Sequence, residues 1–463
     1  MRGLRRAILA AVCLSPVALF GQESPTRCNA LNTPTTRQTS VMTPTGQYDT
    51  YVGGGVVVVC PAKDIHLKAD SLEQYGDQKR LYLVGHVDYR EPRFAVRSDF
   101  LNYYMSEERV VATGNVDATM SDSSKLKGPV ATYLRPIPTT RPLASLHATG
   151  RPTITLIQRD SLGRVEPPMD VTADNVFMKG DSLVYAGGTV QIQRQDLTAH
   201  SDSMFLDGQH EILHLIGRPR IEGRKGDNPF TLDGTLIDLY SHDQKLDHVL
   251  ARGQAVATSK DLTLHADTIE FHLIDAVLQQ AQAWGPARAA AKSPTDSLLA
   301  DSIDVIMPGQ RAREIHAVGR AYAESKPDSL RFHTTAMNWM RGDTILAKFD
   351  TIPAKDSAQA PRIRQLIAID SASAYYNMAP QDSTLCVPAM NYSKGSRIVV
   401  TFGAKGAEQV DVLGKTVGIF AEPTDSLPEN RCAPAAKKSN PKHPPPAGHP
   451  DTTATHRPSR PSR

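Results

Sequence analysis

The 463-residue chain is 40% hydrophobic and only 6% aromatic, with a formal net charge of +3. A balance so close to neutral excludes a chain-wide nucleic-acid footprint or a trap for acidic substrates, so no nucleic-acid partner is expected. The length suffices for two or three ordinary domains.

The chain opens with MRGLRRAILAAVCLSPVALFG, where Arg2, Arg5 and Arg6 precede an apolar run from Ala7 to Phe20. Residues 1–21 therefore read as a secretory signal peptide, too short for a membrane-spanning helix. Residues 22–60 form an N-terminal lead. Without Cys13, the cysteines are Cys28, Cys60, Cys386 and Cys432, an even number in an exported and oxidising setting. Three pairings are open. Positions near opposite ends of the chain favour Cys28 with Cys60 and Cys386 with Cys432, where each bridge would keep a terminal strand from fraying. Gly53-Gly54-Gly55 ahead of Val56–Val59 reads as a turn feeding a buried strand, since no helix follows to complete a phosphate loop.

From residue 61 to 325 one pattern recurs at roughly 30-residue intervals, the period of a repeat architecture. Each copy has a landmark position (Asp70, Asp99, Asp174, Asp202, Thr235, Asp267, Asp301) and a later glycine (Gly85, Gly114, Gly188, Gly217, Gly253, Gly285, Gly319), and a divergent copy ends at Gly150. Around the glycines the apolar positions alternate with polar ones: Leu81, Leu83, Val87; Val110, Ala112, Val116; Val184, Ala186, Val190; Leu213, Leu215; Val249, Ala251, Ala255; Ala281, Ala283, Ala287; Ile315, Ala317, Ala321. Period two with one polar face is a half-buried strand. A second strand precedes it, joined by a Gly-, Asp-, Gln- and Lys-rich turn, so each repeat is two antiparallel strands. The apolar positions before and after the landmark acid differ in parity, which predicts a bulge near the Asp.

The fourth copy contains His210-Glu211-x-x-His214, on a helix the signature of zinc proteases. In a strand that spacing spans roughly 13 Å, too far for both imidazoles to reach one ion. Gly208, Gly217 and Pro219 also leave little room for a helix. No metal site is expected. Gly414-Lys415-Thr416 lacks the upstream glycine of a phosphate loop and lies in a strand-like alternation. The recurring Asp, once per repeat, fits a turn or edge role better than catalysis.

Residues 326–427 carry looser β repeats diluted by an insertion after Phe349, with Asp370 where the glycine would be. Residues 428–463 are Pro-, Lys- and His-rich, a composition expected to stay disordered.

The L-x-A-D-x-apolar strand, polar turn and A-x-G-x-V strand are clearest in LHADTIEF with AQAWGPA, LLADSIDV with HAVGRA, and VRSDFLNYY with VATGNV. Behind a secretion signal, this pattern resembles the OstA-like family of periplasmic lipopolysaccharide-transport proteins, over residues 61–325 with weaker traces to about 420. The resemblance implies an all-β fold, an open β-jellyroll of stacked antiparallel two-strand repeats, in the periplasm. It also implies an apolar interior that carries the acyl chains of lipopolysaccharide or a related glycolipid to the outer membrane, with no enzymatic step and no cofactor. The inward alternating residues named above are then the lipid-lining candidates. Unpaired end strands would let other envelope transport proteins, or further copies of the chain head to tail, dock by strand addition. A structural β-solenoid or surface adhesin, with a filled interior and no cargo, is the alternative of a different class.

Overall fold

A computed structural model of the chain describes residues 28–31, 34–224, 229–260, 262–327, 332–350, 362–382, 384–403, 406–424 and 431. The expected signal peptide at 1–21, most of the insertion after Phe349, Cys432 and, apart from Arg431, the tail from residue 428 lie outside the described residues. Among the described residues the fold is all-β, with 28 strands, two short 3-10 turns at Pro61–Lys63 and Pro308–Gln310, and no α-helix.

Strands follow one another as an antiparallel meander. Tyr48–Cys60 pairs with Ile65–Tyr75, which pairs with Arg80–Glu91, and the sequence of pairings continues to Ile363–Met378 with Ala389–Gly403. No break marks the expected divisions at residues 60 and 325, because Glu314–Ser325 pairs with Asn338–Phe349 in the same sheet. At one end Asn29–Leu31 and Arg37–Met42 cover the two halves of Tyr48–Cys60. At the other, Gly406–Leu413 and Val417–Ala421 cover the two halves of Ala389–Gly403.

Each long strand bends near its middle. On the glycine strands two successive residues adopt left-handed backbone: Gly85 and His86 at φ 77° and 45°, Gly114 and Asn115 at 76° and 45°, Gly319 and Arg320 at 82° and 48°. The pairing slips by one residue at each such place, as between Val84 and Val87. This is a β-bulge, and it turns the strand. The extra residue thus lies on the glycine strand, opposite the acid, whereas the acid strand only changes phase: Phe94, Val96 and Ser98 are buried before Asp99, and Leu101 and Tyr103 after it. Asp370 and Ser371, at φ 58° and 51°, make the same corner without glycine, since Asp tolerates this region better than most residues.

Bending divides each long strand between two limbs. Limb A holds halves such as 80–84, 100–104 and 130–134, and limb B holds halves such as 65–68, 87–91 and 94–98. Side chains of the two limbs meet in one continuous core running from Val52 to Val400. Phe94 of limb B stacks on Tyr133 of limb A at 4.0 Å, and Phe230 of limb B meets Phe271 of limb A edge-on at 5.2 Å. Where two successive strands are broken at the corner, their halves pair separately. Ser145–Thr149, Thr153–Leu156, Met169–Thr172 and Asn175–Lys179 in this way close a six-membered ring with Lys125–Leu134 and Leu183–Gln193.

Three local readings change. Gly53-Gly54-Gly55 lies inside the strand Tyr48–Cys60, with Gly54 and Gly55 forming its corner rather than a turn before it. The first strand of the divergent repeat is Lys125–Leu134, with Pro129 in the place of the acid opposite Gly150. Gly414 lies at a corner between Gly406–Leu413 and Val417–Ala421. Ala287, expected to face inward, is exposed: the bulge between Trp284 and Ala289 is wider than the others, so Ala289 takes the buried position.

Cys28 and Cys60 form a disulfide across a sequence separation of 32, tying the outermost strand Asn29–Leu31 to Tyr48–Cys60. Cys386 is also disulfide-bonded. Closing a loop of that length contributes about 3–4 kcal/mol in the chain-entropy account. Cys60→Ser is therefore expected to strip amide-exchange protection from residues 29–31 and from Val57–Val59. Protection beyond Ile65 should hold, and its collapse would show that the bridge supports more than the edge.

Candidate functional site

The inward side chains form the walls of the space between the limbs. Leu81, Leu83, Val87, Val110, Ala112, Val116, Val184, Ala186, Val190, Leu213, Leu215, Val249, Ala251, Ala255, Ala281, Ala283, Ile315, Ala317 and Ala321 are all buried, none more than 7% exposed. Near the corners, then, the space is filled by the protein's own side chains. The limbs diverge at the opposite edge, the mouth, and the mouth is not uniform along the molecule.

Toward the N-terminal end a polar latch shuts the mouth. Arg135, at the end of limb A, donates from Nε to Glu91 of limb B and from Nη1 to Glu108 Oε2 at 2.7 Å, while Lys63, in the turn on the limb B side, donates to Glu108. Three tyrosines complete it: Tyr133 and Tyr89 donate to Glu91 at 2.6 and 3.0 Å, and Tyr103 donates to Glu108 at 3.0 Å. Glu91, Arg135 and Glu108 side chains are only 4, 14 and 17% exposed. Burial raises the Glu108 pKa, but the bonds from Lys63 and Arg135 outweigh it and hold the carboxyl below its usual range. Burial likewise pushes the Tyr89, Tyr133 and Tyr103 hydroxyls up. Beside the latch the gap at Phe94, Met120 and Tyr133 measures only about 30 Å³, room for one water.

Toward the C-terminal end the mouth holds a cavity of about 610 Å³. Leu262, Ala291, Leu298, Ala323 and Tyr376 line it from limb B, and Ile315, Ala347, Phe349, Ile363, Leu366 and Phe402 from limb A. Polar residues, among them Ser293, Asp296, Asn338 and Arg362, sit at its rim. Of the inward candidates only Ile315 reaches the cavity; the alanines at 281, 283, 317 and 321 are buried without lining it, and small side chains let the limbs approach there. Repeat alignment missed the mouth residues because they lie at strand ends and in turns, away from the glycine. Leu298 and Leu366 do, however, continue the period of two.

The histidines of the zinc-like motif are held apart. His210 is in a turn, its Nδ1 2.8 Å from Asp207, whereas His214 is on the strand Ile212–Ile216, its Nδ1 2.7 Å from Asp238. Among the described residues no three metal-ligating side chains gather. His214 instead ends a row of rings on the outer face of limb A, through Phe205, Tyr185 and Phe177 to His147 on neighbouring strands; such cross-strand pairs stabilise a sheet. The landmark acids lie one per corner and meet the residue after the glycine: Asp70 with His86, Asp99 with Asn115, Asp202 with Arg218, Asp301 with Arg320.

No protein-family model matches the chain, and no curated protein matches it.

Proposed function

We propose that the protein shelters the acyl chains of an envelope lipid, lipopolysaccharide or a related glycolipid, between its limbs during passage through the periplasm to the outer membrane. The apolar cavity at the mouth carries this reading. A hydrocarbon chain in water costs about 0.8 kcal/mol per methylene, on the order of 10 kcal/mol for twelve carbons, and a slot open along one edge removes that cost without closing over the headgroup. Two bent limbs stacked from antiparallel repeats also fit the open jellyroll that the family resemblance implies. The reaction needs no covalent step, no enzyme activity and no cofactor.

Partners would add to the end strands. Arg37–Met42 and Val417–Ala421 expose Val41, Met42, Val417, Ile419 and Phe420 at the two ends of the sheet, the arrangement by which other envelope transport proteins, or another copy head to tail, extend a sheet. A structural solenoid or adhesin is the second reading, favoured by the filled interior from Leu81 to Ala283.

Lipid extracted from gently isolated protein separates the two. Mass spectrometry should find acyl lipid in the wild type, and Ala312→Trp, whose indole would enter the cavity from its rim, should reduce it at least ~5-fold. Photo-crosslinkers at Leu298 and Ile315 should label lipid while outward Gln282 and Arg320 do not. Protein free of lipid, or equal labelling from both faces, would leave the solenoid reading standing.

A further inference from the structure

The mouth cavity has two features that the lipid reading leaves unused: its size, and the charge of the rim on limb A. At about 30 Å³ for a methylene-sized group, comparable to water's share of its liquid, about 610 Å³ holds roughly twenty such groups. That is one long hydrocarbon chain, not a bundle. At the N-terminal end the latch of Glu91, Glu108, Lys63 and Arg135 shuts the mouth, so no second slot opens there.

The limb A rim is cationic. Arg362 lines the cavity, and Ala312, another lining residue, lies between Arg311 and Arg313. Backbone bonds fix these segments side by side: Phe349 N donates to the Arg313 carbonyl at 3.0 Å and Asp350 N to the Arg362 carbonyl at 2.9 Å. Arg364 occupies an adjoining strand end, whereas Lys348, between the inward Ala347 and Phe349, is on the outer face opposite Glu314. Among the described residues none of these five cations makes an ion pair, whereas Arg90, Arg135, Arg194 and Arg320 elsewhere all do. Glu314 on the same edge lies against His316. Across the gap Asp296 accepts bonds from Ser293 and Thr295 at 3.0 and 2.6 Å, and Glu324 also lines limb B. Clustered cations beside an apolar slot fit a ligand with a negative head on one side of its tail.

Building on the lipid-sheltering reading, we infer that the cavity is a site for one single-chain anionic amphiphile, its tail between Leu298 and Ile315 and its head on the Arg313–Arg362 rim. A lipid with several acyl chains would place one of them there at a time.

Titration calorimetry on the full chain tests this with four hexadecyl probes below micelle formation: palmitate, hexadecyl phosphate, hexadecyl maltoside and hexadecyltrimethylammonium. The first two separate a carboxylate from a phosphate head. The expected result is one probe per protein, with either anion at least ~5-fold tighter than maltoside, since a basic group near an anionic head is worth about a factor of five. Arg313→Gln with Arg362→Gln should weaken the anions ~25-fold and leave maltoside within about twofold. Both arginines are exposed, and unchanged circular dichroism would confirm folding of the variant. Binding of two or more probes, or a head preference that survives the double substitution, would overturn the inference while sheltering of lipid stands. Failure of all four probes to bind would overturn both.

Discussion

Arg135→Met should destabilise the N-terminal half of the molecule by about 3–5 kcal/mol, the cost of leaving a buried charge without its partner. Arg135 is the member of the latch that touches both acids, so its loss leaves Glu91 with no cation, only the Tyr89 and Tyr133 hydroxyls, and leaves Glu108 to Lys63 and Tyr103. Repeats stabilise mainly their neighbours. Amide protection should therefore fall in Arg80–Glu91 and Lys125–Leu134 and persist in Ile363–Met378. Adding Glu91→Gln to the Arg135 variant should recover part of the loss, because a neutral amide is cheaper to bury than an unpaired carboxylate. The latch is also acid-sensitive. Glu108 has a folded pKa below its unfolded value, so its contribution is complete above the ordinary glutamate pKa near 4.3 and is lost as pH falls through the folded value. Protection in the latch strands should hold from neutrality down to about pH 5 and decline below about pH 4, with a shallower decline in Glu108→Gln. A loss under about 1 kcal/mol for Arg135→Met would mean that water already reaches these charges.

The latch and the cavity were the parts least visible in the residues themselves. Alternation of Leu81, Leu83, Val87 and Tyr89 with polar neighbours is a property of consecutive residues, so the strands and their buried face can be read directly. The corner was half legible: the phase change at Asp99 shows in the apolar spacing, but the extra residue on the facing strand appears only when the strands are paired. Lys63, Glu91, Glu108 and Arg135 come from four strand ends or turns, where the period stops, and no spacing among them announces that the bend will bring them together. The alanines illustrate the remaining limit. Ala283 and Ala317 are compatible both with a roomy trough and with limbs in close contact, and the separation of the limbs decides between them. They are buried without reaching the cavity.

Gly217→Ala should cost about 2–4 kcal/mol, combining left-handed backbone for an L side chain with overpacking. Gly217 has φ 79°, and a Cβ there would lie 2.7 Å from the Cβ of Asp202 and 2.5 Å from its Oδ2. The carboxylate could swing aside, but the Cβ is fixed to the backbone of the paired strand, so rotation of the side chain gives no escape. Asp202→Gly in the alanine variant should therefore restore the overpacking share and leave the backbone share, whereas Asp202→Ala should not rescue, since it keeps the clashing Cβ. In the wild-type background Asp202→Ala should change stability by no more than about 0.5 kcal/mol: the acid is 59% exposed and its contact with Arg218 is long, at 3.3 Å. Denaturant midpoints of these four variants separate two views of the recurrent acid. If Asp202→Ala alone removed more than about 2 kcal/mol, the carboxylate would be holding the corner through its bonds. The expected order instead makes Gly217 the costlier residue to replace and the acid a surface cover, which explains how threonine at 235 and proline at 129 can occupy the same place opposite Gly253 and Gly150.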